Sequence, residues 1–121
     1  MDIRELVSRY EVGQRNFCDL NLIAAKLRNV NLSRANFQGA NMMGANLSHA
    51  NLSGTSFRQA SMAKTNFSCA NLTGADFTGA TLSGADFTDA NLTSVDFSNV
   101  DLSEVDLSRA NLHQVKLPAT N

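Results

Sequence analysis

Few side chains in this sequence are equipped for catalysis. Its 121 residues include two histidines, His49 and His113, two cysteines, Cys18 and Cys69, and one tyrosine, Tyr10. A histidine within reach of a serine or cysteine would supply a base and a nucleophile. Cysteines and histidines a few residues apart would supply a zinc site. The histidines lie 64 residues apart. Neither is expected to find a cysteine or an aspartate at an offset that completes a dyad or a ligand set. The cysteines share no motif and read as free thiols. The many Ser and Thr hydroxyls have no base to activate them. The glycines from Gly74 to Gly84 come without the lysine of a phosphate-binding loop. The expectation is a protein without enzymatic activity, with no catalytic, cofactor-binding or metal-binding residues and no cofactor.

Function must then reside on the outer surface, and one pattern positions that surface. From Phe17 to Leu117 a Leu, Phe or Met recurs at every fifth position, through 21 consecutive pentads. Call this residue the centre. Two positions before it the residue is small, as at Ala35, Ala40, Ala45 and Ala75. One before it is polar, usually Asn or Asp. After it come Ser or Thr and then often Gly, as at Gly39, Gly54 and Gly79. A period of five fits neither helix nor flat strand, because each would scatter the centres over different faces. The small and large residues two apart share one side of an extended segment, and the polar residues between such pairs suit a turn. Each pentad is thus a short extended piece and a corner, and repeated corners wind the chain into a coil with the apolar pairs inside.

Two ladders set the size of the coil. Phe17, Phe37, Phe57, Phe77 and Phe97 are spaced by 20, as are Leu32, Leu52, Leu72, Leu92 and Leu112, each preceded by Asn. Four pentads per turn stack both sets. The expected body spans 15–119 in about five coils, about 25 Å tall at the usual spacing between paired strands. Its register is expected to be unbroken and to be least regular at the start, where Arg15 stands in a position meant for alanine.

Stacking by 20 turns scattered residues into columns. Asp76 lies beneath Asp96 and Asp86 beneath Asp106, while Asp101 belongs to a third face. Like charges at such spacing repel by about 1 kcal/mol in water, which a solvated face tolerates. Ile23, Met43 and Ala63 fall where other pentads carry Ser or Thr, and form an apolar strip with Met42 and Met62 behind it. These eight residues, Ile23, Met43, Ala63, Asp76, Asp86, Asp96, Asp101 and Asp106, are the candidate interaction surface.

The remaining features frame that body. Ile3, Leu6, Val7 and Tyr10 make one stripe of a short helix, with Asp2 as N-cap and Gly13 at its end. Residues 1–14 are read as a cap over the first coil, and 120–121 as a tail. Pro118 ends ladder bonding, and the open last coil, with Leu102, Leu107, Leu112 and Leu117, invites pairing with a second copy. Net charge is −1, yet residues 1–70 hold eight Lys and Arg against four acids, a balance of +4. Residues 71–121 hold two against seven, a balance of −5. The basic residues Arg28, Arg34, Arg58 and Lys64 fall on different faces with few aromatics, which argues against nucleic-acid binding. No apolar run is long enough to span a membrane. The charged N-terminus does not read as a signal peptide, so the expected location is cytoplasmic.

The motif Ala-(Asp/Asn)-(Leu/Phe)-x-x, as in Ala35-Asn36-Phe37-Gln38-Gly39 and Ala75-Asp76-Phe77-Thr78-Gly79, resembles the pentapeptide-repeat family over residues 15–119. Residues 10–17 resemble the lead-in of its cyanobacterial members. The resemblance implies an all-β fold, a right-handed quadrilateral parallel β-helix, with the short N-terminal α-helical cap added to it. With no catalytic constellation and an uneven outer surface, the expected function is a rigid, non-enzymatic scaffold that binds a protein partner, with a homodimer through the open last coil as a further expectation. The alternative is a DNA mimic that binds and regulates gyrase or another topoisomerase, as some members do.

Overall fold

The computed structural model describes residues 1–119; the tail expected at 120–121 lies outside the described residues. The described residues form one helix, α1 (Ile3–Glu11), followed by a coil of single-residue parallel bridges. Each bridge joins residues 20 apart, from Asn16↔Asn36 to Asp96↔Lys116. The ladder therefore climbs through five turns, in the quadrilateral β-helix expected from the repeat.

One pentad shows why these residues fold this way. The Phe37 N–H donates to Ser56 O at 2.8 Å, and the Ser56 N–H donates back down to Ala35 O at 3.0 Å. The Ala40 N–H closes the corner on Phe37 O at 3.0 Å. Asn36 Oδ1 accepts from the Gln38 N–H at 3.0 Å, so the polar residue before the centre caps its own turn. The corner itself requires a left-handed residue. Gly39 supplies it at φ +73, and Arg34, His49 and Cys69 adopt it at +63, +60 and +58. Such values cost an L-residue energy, which the ladder bonds on either side offset.

The interior is one continuous apolar core that holds two ring stacks. Phe17, Phe37, Phe57, Phe77 and Phe97 stack at centroid distances of 5.5, 5.9, 5.0 and 5.5 Å. Phe67 and Phe87 recur at the ten-residue half-period, which puts them on the opposite face. From there they stack on each other at 4.8 Å and meet Phe57, Phe77 and Phe97 edge-on across the core. Thr55 and Thr65 replace alanine inside without loss, because their hydroxyls donate to Leu32 O at 3.0 Å and Met42 O at 2.9 Å.

α1 closes the first coil. Asp2 Oδ1 accepts from the Arg4 N–H at 2.7 Å as its N-cap. Leu6 is fully buried, and Ile3 and Tyr10 pack on the core beside it. The Tyr10 hydroxyl donates to Ser33 O at 2.8 Å, and the Arg15 guanidinium lies 3.8 Å from the Tyr10 ring centroid. Arg15, excluded from the interior by its charge, thus clamps the cap. No helix among the described residues is long and apolar enough to cross a membrane.

The register is not unbroken. Thr81 and Asp101 should pair, and no bridge joins them. The Gly84 N–H bonds Glu104 O at 2.8 Å, one residue beyond the regular partner, Ser103. Glu104 is also the one corner residue between 19 and 114 that is not left-handed. The irregularity therefore falls in the last coil, whereas the first coil, expected to be the least regular, keeps its bridges.

Candidate interaction surface

The apolar strip lies where the period places it. The Ala24 N–H donates to Met43 O and the Gly44 N–H to Ala63 O, at 2.8 and 2.9 Å, so residues 23, 43 and 63 stand in one column. Ile23 is 50% exposed and Met43 45%, while Ala63 is half-buried. Met42 and Met62 lie behind them, fully buried. The exposed part of the strip is therefore two residues long. Beside it on the next pentad are the exposed Lys26 and Arg28, and above it is the exposed Lys64.

The five aspartates occupy the position before the centre, where most earlier pentads carry Asn. Each spends one carboxylate oxygen on its own turn. Asp76, Asp86, Asp96, Asp101 and Asp106 Oδ1 accept the N–H of Thr78, Thr88, Ser98, Ser103 and Ser108 at 2.8–2.9 Å. Asp76 and Asp96 are bridged in one column and Asp86 and Asp106 in another. Asp101 stands apart at the parted ladder. There a cleft of about 420 Å³ opens, lined by Thr81, Ser83, Asn99, Asp101, Ser103 and Glu104 among others. The Ser83 hydroxyl donates to Glu104 Oε2 across it at 3.0 Å.

Cations temper this charge. Arg58 Nη1 donates to Asp76 Oδ2 at 2.9 Å. Arg109 clamps Asp89 with two bonds of 2.9 and 3.1 Å, as the 20-residue stack of the two predicts. The hydrogen bonds have a titration consequence. Partial burial raises the Asp76 pKa, but the bonds from Thr78 and Arg58 outweigh it and leave the carboxyl below its ordinary value. The Ser98 hydrogen bond lowers Asp96, and the Ser108 hydroxyl lowers Asp106. Carboxyls depressed in the folded state stabilise it above their unfolded pKa, and that contribution is lost as pH falls through the folded value. All the Asp turn caps lie from residue 76 onward, and the Asn caps before them do not titrate. Acidification below about pH 4 is therefore expected to loosen the later coils first. Amide exchange at pH 2.5 should rise in 76–116 before 31–71, and a uniform rise would contradict this.

Sequence reading missed one column. His49 does have a cysteine at a useful offset, since 49, 69, 89 and 109 are successive multiples of 20 apart. His49, Cys69, Asp89 and Arg109 share one corner, with left-handed φ of 60, 58, 59 and 56. The offset was visible once the coil length was known. His113 sits on another corner. Among the described residues no group of three or more His, Cys, Asp and Glu forms a metal-ligand set.

Fold and surface together define a class: a capped, four-sided repeat solenoid around a continuous apolar core. The family model described as pentapeptide repeats matches residues 16–54, 40–79, 70–109 and 85–121. The chain belongs to the pentapeptide repeat family. Among solved structures it is similar to a pentapeptide repeat protein from Nostoc PCC 7120, at 26% identity and a TM-score of 0.53, covering 99% of this chain and 88% of that one. A pentapeptide repeat protein from the Arabidopsis thaliana thylakoid lumen is 33% identical over 74% of this chain and 66% of its own, with a TM-score of 0.39. QnrB1, a plasmid-mediated fluoroquinolone resistance protein, is 25% identical over 80% of this chain and 64% of its own, with a TM-score of 0.31. No curated protein sequence matches the chain.

Proposed function

We propose that this protein is a rigid, non-enzymatic interaction module that binds a protein partner through the corner carrying Ile23 and Met43. The observation that carries this reading is the exposure of two large apolar side chains in a column that elsewhere holds Ala and Ser. Nothing in the fold requires them there, because Ser83 and Ser103 fill the same place in later coils. Exposed apolar side chains grouped on a polar surface favour partner contact, and the rigid ladder holds these two in fixed relation. Lys26, Arg28 and Lys64 nearby favour a partner with an acidic rim around an apolar contact.

The DNA-mimic reading has less support. A mimic needs free carboxylate oxygens in regular array. Here each stacked aspartate turns one oxygen inward to its own corner, and Asp76 is also bound by Arg58. Ile23→Ser with Met43→Ser tests the favoured reading. A purified partner of the native chain should bind the double variant at least about tenfold more weakly, the loss of two apolar contacts at an interface centre. Circular dichroism and melting should not change. Equal affinity would remove the strip as the contact. Undiminished gyrase supercoiling in the presence of the native chain would separately remove the mimic.

A further inference from the structure

We propose that Cys69 is a thiol-modification site at which His49 acts as proton acceptor, and that its reactant is a low-molecular-weight disulfide. The two residues are one coil apart on the same corner. The ladder fixes this, since the His49 N–H donates to Ser68 O at 3.0 Å and the Cys69 N–H to Thr88 O at 2.9 Å. Both side chains are exposed and no disulfide engages the thiol.

Corner side chains reach their column neighbours in this fold. At three other columns the Cγ of Arg34, Gln59 and Lys64 lies 3.4, 3.3 and 3.2 Å from where a Cβ would stand on Gly54, Gly79 and Gly84 in the next coil. These three side chains lean towards residue i+20, and His49 stands at that same offset from Cys69, one coil away on the same corner. On the far side Arg109 reaches back to bind Asp89 through both carboxylate oxygens. That clamp neutralises the carboxylate which would otherwise oppose a negative sulfur. No hydrogen bond joins His49 and Cys69 in the resting chain, as is common before a reactant is bound.

The chemistry is thiol–disulfide exchange. His49 takes the proton of the Cys69 thiol as the sulfur attacks one sulfur of the small disulfide. The new S–S bond forms, the old one breaks, and the departing thiolate takes the proton from the imidazolium. The cysteine is oxidised to a mixed disulfide and half of the reagent is reduced to thiol. The corner is open to solvent and holds the small group outside the coil, so the ladder need not move.

Cys18 is the internal control. It is half-buried, and the next residues of its column are Gln38 and Arg58. The experiment follows reaction with 4,4′-dithiodipyridine, a neutral disulfide, at neutral pH in the Cys18→Ser chain, which reports Cys69 alone. The Cys69→Ser chain reports Cys18. Cys69 is expected to react about tenfold faster than Cys18, and His49→Asn to remove about tenfold of that rate, a modest share of what a positioned base supplies. Asn29 occupies this corner at φ 65 and Arg109 at φ 56, so neither His49→Asn nor His49→Arg should disturb the fold. His49→Arg introduces a positive charge without a proton acceptor and should be as slow as His49→Asn. Equal rates with and without His49, or full rescue by arginine, would overturn the proposal.

Discussion

Replacing Phe77 by alanine is expected to cost about 3–5 kcal/mol, the range for truncating a buried aromatic. Phe77 is fully buried and is stacked on Phe57 and Phe97 at 5.0 and 5.5 Å. It also meets Phe67 and Phe87 edge-on at 5.5 and 5.6 Å. Four ring contacts and the side-chain volume go together, and the ladder bonds around the site hold the backbone too rigidly to fill the void. A domain of this size has about 5–15 kcal/mol in all, so much of the stability disappears. Phe17→Ala is the comparison. Phe17 is also buried but touches only one ring, Phe37, at 5.5 Å. Its loss should cost clearly less. Urea unfolding of both variants measures this, and equal losses would show that the ring stack adds nothing beyond burial.

That contrast marks what the amino-acid order discloses. The stack of Phe17, Phe37, Phe57, Phe77 and Phe97 follows from spacing alone, because a 20-residue coil leaves no other place for them. So does the Arg109–Asp89 pair. Phe67 and Phe87 are harder to place from a list of positions. Their ten-residue recurrence looks like a harmonic of the same period, and only the four-sided section shows that it sends them across the core. The turn-capping role of Asp76 or Asp96 is legible locally, since an acceptor two residues before a Ser or Thr N–H is a familiar turn device. The parting at Thr81 and Asp101 is not legible. Ser103 and Glu104 follow the pentad pattern as well as their neighbours do, and the slip is decided by pairing between coils. The His49–Cys69 column required the coil length first, because residues 20 apart carry no local signature of contact.

Leu6→Ala offers the sharper test of how stability is distributed along the coil. Leu6 is the one fully buried residue of α1, and truncating a buried leucine costs about 2–5 kcal/mol. A nine-residue helix has little stability of its own, so its hold on the coil depends on this side chain, on Tyr10 bonded to Ser33, and on Arg15 over the Tyr10 ring. Weakening the cap uncovers the first coil, where Leu20, Ala25 and Val30 are already only partly buried. In a solenoid each coil contacts only its neighbours, so damage at one end need not reach the other. Amide exchange in Leu6→Ala is therefore expected to rise through α1 and residues 17–32 while residues 57–97 keep their protection. Phe77→Ala should do the reverse, exposing the middle first. If Leu6→Ala instead raised exchange evenly along the chain, the coils would be coupled far beyond nearest neighbours. The cap would then be a keystone for the whole ladder and not a lid on its first turn.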